Sequence, residues 1–578
     1  SDNVVIANDA DHVLSAPELI LAARDTVKLE DGAVVAGDGE FSGKARDIVV
    51  TDASGNGDGA LLRVSAGNQV ALTRESASLT GGVLDVAAGS TVRAGKSTIL
   101  DATLDNRTLG QVELPERGGA LTLGATRISL AENGLAVNPD GMVFDQDRLA
   151  DLGSPAHLVL RSYSTLGIYG NVSLGSDDLA SLSIEAAGLA GYGTAGQTAT
   201  LQADTVRFSN PDGIDAATAF SGTTGQGDLS VLAREVELGE GDFTLRGFDT
   251  STVTASGQVL GLGGSFRTEA GGGASGHLNL DAGRITVAAG ADQAIEAAGN
   301  LVTSLPAATT ATAAAALGGK LDLAGASVTH GGRIDMPAGI VTLRAETGDV
   351  TLLSGSEIRA GGASVDFADT WAYAAGGAVN LVADAGNVTA QSASLIDVGG
   401  DLTVWAAGDS ILAGTLQGDA AAGFDSGRFT LTARRVNPDV NGDNDFSTLN
   451  DTLEAGGFHA QRQIRVLEGD IELAATDRVE AHEFLLSADQ GAIRVAGTVD
   501  ASGGKGGRIG LYAGGDLDLL SGAQLLANAT DSLAAAEGTA GEGGHLARLP
   551  HDAVESGLHL AARVAHLADF LDDLRQAA

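Results

Sequence analysis

Between residues 439 and 450 the chain reads DVNGDNDFSTLN. Oxygen-bearing side chains recur there at Asp439, Asn441, Asp443 and Asp445, then at Ser447 and Asn450. Calcium takes roughly six to eight oxygen ligands, and alternate residues of a turning loop can all point inward. The spacing therefore predicts a calcium site built from these six residues. Two positions depart from the ideal loop. Asn444 stands where glycine usually makes the sharp turn, and Asn450 where a carboxylate usually closes the shell, with Asp451 directly after it. The competing reading is an acidic surface excursion without metal, and the sequence leaves both open.

Other groups that carry chemistry do not assemble into a motif. Ala94-Gly95-Lys96-Ser97-Thr98 ends like a phosphate-binding loop, but Ser90 stands where its first glycine belongs. His482-Glu483 lacks the second histidine of a zinc-protease helix, and there is no G-x-S-x-G elbow. No catalytic residue is assigned and no enzymatic activity is expected. The runner-up is a polysaccharide lyase or hydrolase. A hydrolase needs two opposed carboxylates, and Trp371 and Trp405 are the places to look for sugar platforms.

The elements that position these residues are short strands. Val341, Leu343 and Ala345, then Val350 and Leu352, then Ile358 and Ala360 alternate with polar residues, and the pattern returns at Val379-Leu381-Ala383. Alternation of this kind marks half-buried strands. The strand starts are too close for crossover helices, and three runs make a repeat of roughly 20–25 residues, within the solenoid range. Gly497–Leu526 shows it best: Val499, then Ile509-Leu511-Ala513, Leu517-Leu519 and Ala523-Leu525, with paired glycines between them expected at φ > 0 corners. The fold expected is all-β, a right-handed parallel β-helix (β-solenoid) with surface excursions and a C-terminal helical segment.

Composition agrees. The 578 residues are 43% hydrophobic but only 4% aromatic, with 83 glycines, as small stacked layers require. A net charge of −41 excludes a nucleic-acid partner, and no apolar run is long enough for membrane insertion. There is no cysteine, which fits passage through an oxidising compartment. The opening Ser1-Asp2-Asn3-Val4-Val5 is not a signal peptide, so a processed chain or a fragment is expected. The organisation expected is a repeat region over 1–545, with excursions near 306–317 and 437–457, then a helical cap or tail over 546–578. In that last segment Val554, Leu558, Ala561, Leu567, Leu571 and Leu574 recur at helical spacing.

The run GTVDASGGKGGRIGLYAGGDLDLLSGAQLL at 497–526 resembles the repeats of filamentous haemagglutinin-like exoproteins, as do IVTLRAETGDVTLLSGSEIRA at 340–360 and SPAHLVLRSYSTLGIYGNVSLG at 154–175. The resemblance covers most of the chain up to about residue 545. It implies export through a partner outer-membrane β-barrel transporter and a secreted, cell-surface location on a Gram-negative bacterium. It further implies a role in adhesion, aggregation or biofilm without catalysis, through a cell-surface or glycan receptor, with homo-assembly into filaments as a further partner state. Secretion domains of that family carry Asn-Pro-Asn-Gly; here Asn138–Gly141 and Asn210–Gly213 read Asn-Pro-Asp-Gly, and from the residues alone each is a tight turn. The loop at 439–450 is similar to those of EF-hand-like and dockerin modules, which implies calcium as the bound ion.

Overall fold

The structure, a computed structural model, describes residues 1–548 except 116–117, 136, 138–140, 152–153, 221, 311, 313, 368–369, 421–423, 505 and 530–544. Of the helical tail expected over 546–578, residues 546–548 instead belong to the strand His545–Arg548, which continues the parallel ladder of Arg508–Ala513; the rest of that segment and most of the turn at Asn138–Gly141 lie outside the described residues. Strands make up 50% of the chain and helices 3%, in long, mainly parallel ladders, so the fold is the expected β-solenoid. The chain divides into two compact units, Ser1–Met336 and Pro337–Ala578.

In the second unit each regular rung is three strands, such as Ala378–Ala383, Val388–Ala390 and Leu395–Asp397. Each pairs in parallel with its counterpart one rung on. Alternation sends every second residue inward, and register stacks those residues. Leu343, Leu381, Val404, Leu431, Ile464, Leu486 and Leu511 form one continuous inward column, and all are buried. Truncating one of these leucines to alanine costs about 2–5 kcal/mol. Outward positions carry rung-to-rung ion pairs, among them Arg465–Asp489 at 2.7 Å and Arg434–Asp409 at 2.8 Å. Each of these half-exposed pairs contributes at most about 1 kcal/mol.

The strands expected within 497–526 are present at Thr498–Asp500, Arg508–Ala513, Leu517–Leu519 and Gln524–Leu526. The corner glycines act in two ways, where one was expected. Gly506 does take a positive φ of 76°. Gly514 and Gly515 do not; a Cβ on Gly514 would run into the carbonyl of Asp489 on the rung beside it. There glycine answers close backbone approach rather than a left-handed turn.

Two excursions interrupt the second unit. An antiparallel hairpin pairs Ala363–Phe367 with Thr370–Ala374. The excursion expected at 437–457 contains the helix Phe446–Ala455, capped by Asp445, whose side chain accepts from Thr448 N. Phe446, Leu449 and Leu453 are its buried apolar face. The helix packs on Thr415–Gln417 on one side and Arg478–Glu480 on the other. It therefore takes the place of one strand in that column, and the ladder of Leu395–Asp397 and Thr415–Gln417 restarts beyond it as Arg478–Glu480, Thr498–Asp500 and Gln524–Leu526.

The first unit has the same three-faced rungs from His157 onward, with two additions. Gly227–Leu238 and Phe248–Gly261 are long strands that each serve two faces, with register shifts between Ala233 and Glu235 where the chain bends. Phe208, Phe243 and Phe266 stack inside these rungs, with ring centroids 5.1–6.0 Å apart. The second addition was not expected. Residues Ala60–Ser65 form a strand that runs antiparallel between Glu18–Ala23 and Ser97–Ala102. Around it Ile48–Val50 pairs with Leu72–Arg74, and Ile48, Val50, Val70 and Leu72 pack over Leu61 and Ile99. This N-terminal insertion covers the outer face of a sheet that would otherwise meet water.

Candidate functional site

The insertion is fastened by charge. Arg74 donates from Nε to Asp101 Oδ1 at 2.8 Å and from Nη1 to the carbonyl of Gly57 at 2.7 Å. Tyr163 Oη lies 3.0 and 2.9 Å from the two Asp101 oxygens. The side chains of Arg74 and Asp101 are 1% and 0% exposed. Burial acts against the Arg74 charge, but Asp101 outweighs it and leaves the guanidinium pKa raised. Burial, reinforced by Asp101, holds the Tyr163 hydroxyl well above its ordinary range, so it remains a donor. Arg161, two rungs on from Asp101, donates to Glu185 at 2.6 Å and to the carbonyl of Leu72 in the insertion. Gly124 sits between these rows because any Cβ there would strike the Asp101 carboxylate.

The six residues expected to hold calcium are placed as follows. Asp439 Oδ1 accepts from Asn441 N at 2.7 Å and Asp443 N at 3.0 Å, and Oδ2 from Asn441 Nδ2 at 3.1 Å. The N–H groups of Asp443 and then Asn441 hold its pKa below the usual carboxylate range. Asp445 is occupied as the helix cap. Ser447 donates to Asp477 Oδ2 at 2.7 Å. Asn450 is 1% exposed, and its Oδ1 accepts from Arg462 at 3.0 Å while its Nδ2 donates to Arg478 O at 3.0 Å. The structure thus brings Asp439, Asn441 and Asp443 together as a self-bonded turn. Asp445, Ser447 and Asn450 are directed to other partners.

Among the described residues one trio of acidic and histidine side chains brings its ligand atoms within 4.8 Å of one another: Glu454, His459 and Glu480. Its groups are already engaged. Glu454 Oε1 receives Arg462 Nη1 at 2.9 Å and Glu480 N at 2.6 Å, and His459 Nδ1 lies 2.9 Å from Glu480 O. A cation here would sit beside a buried guanidinium. The trio clamps the helix to the next rung.

Arg462 is the unusual residue. Its column reads Val341, Val379, Leu402, Phe429, Arg462, Phe484, Ile509, so an arginine occupies an inward core position. It reaches Glu454 and Asn450 on the helix and the Phe458 carbonyl at 2.7 Å, while Nη2 has no hydrogen-bond partner among the described residues. Burial lowers its pKa against the opposing pull of Glu454. The break in alternation at Arg462-Ile464-Val466 was legible in the sequence and was missed.

Concavity is found elsewhere. At the bend of the long strands in the first unit lies a cavity of about 390 Å³. Asp177, Gln202 and Asp204, Leu232 and Arg234, and Thr254 line it from four successive rungs. Arg234 forks onto Asp204 at 3.0 Å, and Gln202 Nε2 donates to Asp177 at 2.7 Å. Sequence reading did not find these residues, because only register brings 177, 202, 232 and 254 together. Trp405 lies half-buried at an outward strand position, flanked by Val382 and Thr432 on the adjacent rungs; the side chain of Trp371 lies outside the described residues.

No family model, curated protein or solved structure matches the chain.

Proposed function

We propose that this chain is a secreted, cell-surface β-solenoid that acts in adhesion, cell aggregation or fibre formation without catalysis. The observation that carries the reading is the use made of the polar side chains. Outward charges join rung to rung, and the buried ones fasten insertions to the solenoid, as expected of a scaffold that presents surfaces. The excess of acidic residues keeps such scaffolds soluble and apart. Export through an outer-membrane β-barrel transporter and assembly into filaments belong to this proposal through the family resemblance. Calcium belongs to it as an ion that closes the turn at Asp439, Asn441 and Asp443 or bridges acidic surfaces.

The test is display of the full chain on a cell that does not aggregate. Aggregation that is lost on protease shaving supports the reading; cells that neither aggregate nor attach to any surface overturn it. Repeating the assay in chelator isolates the calcium part, which fails if aggregation is unchanged.

A second reading, a polysaccharide lyase or hydrolase, draws on the cavity at the strand bend, where Asp177 and Asp204 stand on neighbouring rungs. Release of reducing or unsaturated ends from a polysaccharide panel tests it.

A further inference from the structure

We infer that the cavity at the bend of Gly227–Leu238 and Phe248–Gly261 is a binding groove for a neutral linear oligosaccharide, held without cleavage. The inference rests on the adhesive reading above and supplies its ligand class.

The groove exists because two strands turn a concave corner without leaving the ladder. The register shift at Ala233 and Glu235 opens the outer surface there, and the four contributing rungs are spaced about 4.8 Å apart. A repeating ladder of polar groups at that spacing suits a repeating ligand about one sugar residue per rung. At about 390 Å³ the space lies in the range of ligand sites, roughly 300–1,000 Å³.

The lining decides the chemistry. Leu232 is 36% exposed on the floor and offers an apolar surface to the C–H face of a ring. Asp177, Asp204 and the Gln202 carbonyl oxygen offer acceptors for hydroxyl donors. The Thr254 hydroxyl also lines the groove and can donate or accept.

Charge excludes the acidic sugars. The cation of the groove, Arg234, is forked onto Asp204 and also reaches Glu235 at 3.4 Å. A uronate or sulfate would therefore meet two carboxylates and a guanidinium already neutralised. Ser256, at one end of the lining, accepts from Thr310 N at 2.8 Å.

The experiment uses the full chain with three probes: cellohexaose, maltohexaose and an oligogalacturonate, titrated by calorimetry, with the end groups of each probe counted after incubation. Two variants accompany it. Leu232→Arg places a charge on the floor from an already exposed position, and Gln202→Ala removes an acceptor; circular dichroism checks that both fold. The expected result is binding of at least one neutral hexasaccharide, no binding of the oligogalacturonate, no new ends, and a loss of tenfold or more in affinity in Leu232→Arg, with a smaller loss in Gln202→Ala. The proposal is overturned if neither neutral probe binds, if the acidic probe binds more tightly, if new ends appear, or if Leu232→Arg, folded, binds as the unaltered chain does. The adhesive reading is scored separately by aggregation of displaying cells. Aggregation with no sugar binding sinks the groove alone, and sugar binding with no aggregation or attachment sinks the adhesive reading alone.

Discussion

Two buried arginines do the same job with opposite electrostatic outcomes. Arg74, in the N-terminal insertion, meets a fully buried carboxylate, a tyrosine hydroxyl and a backbone carbonyl, and its charge is favoured despite burial. Arg462, in the core column of the second unit, meets a carboxylate that is 24% exposed, leaves one nitrogen unpartnered, and has its charge disfavoured. The difference shows what makes a buried charge structural. A closed set of partners turns it into a fastening, and an open set leaves a desolvation cost that neighbouring packing must offset.

The largest expected effect breaks the closed set. Asp101→Asn leaves the buried Arg74 without its paired carboxylate and should destabilise the region around the insertion by about 3–5 kcal/mol. Chemical denaturation followed by the fluorescence of a reporter placed in the insertion measures it. Arg462→Met should cost less, about 1–3 kcal/mol: an apolar side chain suits a column flanked by Phe429 and Phe484, but the buried Asn450 Oδ1 and Phe458 carbonyl lose their donor. Glu454 keeps the N–H of Glu480 and some water. A loss in Arg462→Met as large as in Asp101→Asn would erase the comparison.

Acid sharpens it at the other edge of the insertion. Asp58 accepts from Leu79 N and from Ser78 and Thr80. Partial burial opposes its charge, but these hydrogen bonds prevail and lower its pKa. Its folded pKa is thus below the unfolded value of about 3.9. Its contribution is present above that value and is lost as pH falls through the lowered pKa. Proteolysis around Ser76–Gly81 should therefore accelerate below pH about 4, and Asp58→Asn should make it fast at neutral pH. The smallest effect concerns Ala393, which holds a φ of 64° in a regular corner of the second unit. Ala393→Gly relieves left-handed strain of about 1–2 kcal/mol against an entropy cost of about 0.5–1 kcal/mol, so thermal denaturation should show a gain of about 1 kcal/mol or less.

Legibility followed sequence distance. The rungs were readable because alternation at Val341, Leu343 and Ala345 is local and repeats. An excursion at 437–457 was readable from its polar run, but its helix was not proposed, although Asp445 before Phe446-Ser447-Thr448 is a capping signal. The direction of Ala60–Ser65 could not be read, since alternation is the same in a parallel and an antiparallel strand. The calcium pattern matched residue types at the right spacing, yet Asn450 is drawn to Arg462, a partner twelve residues away that no loop pattern contains. The groove depends wholly on register between distant rungs.

The central structural claim is that a closed buried charge set fastens the N-terminal insertion to the rungs beneath it. Hydrogen exchange of the full chain with Asp101→Asn tests it most directly. The account predicts faster exchange across Ile48–Val50, Ala60–Ser65 and Leu72–Arg74, with the rungs from Ser181 to Ser304 and from Ala378 to Gln417 unchanged. Protection of the insertion that is unchanged, or lost equally throughout the chain, would contradict it.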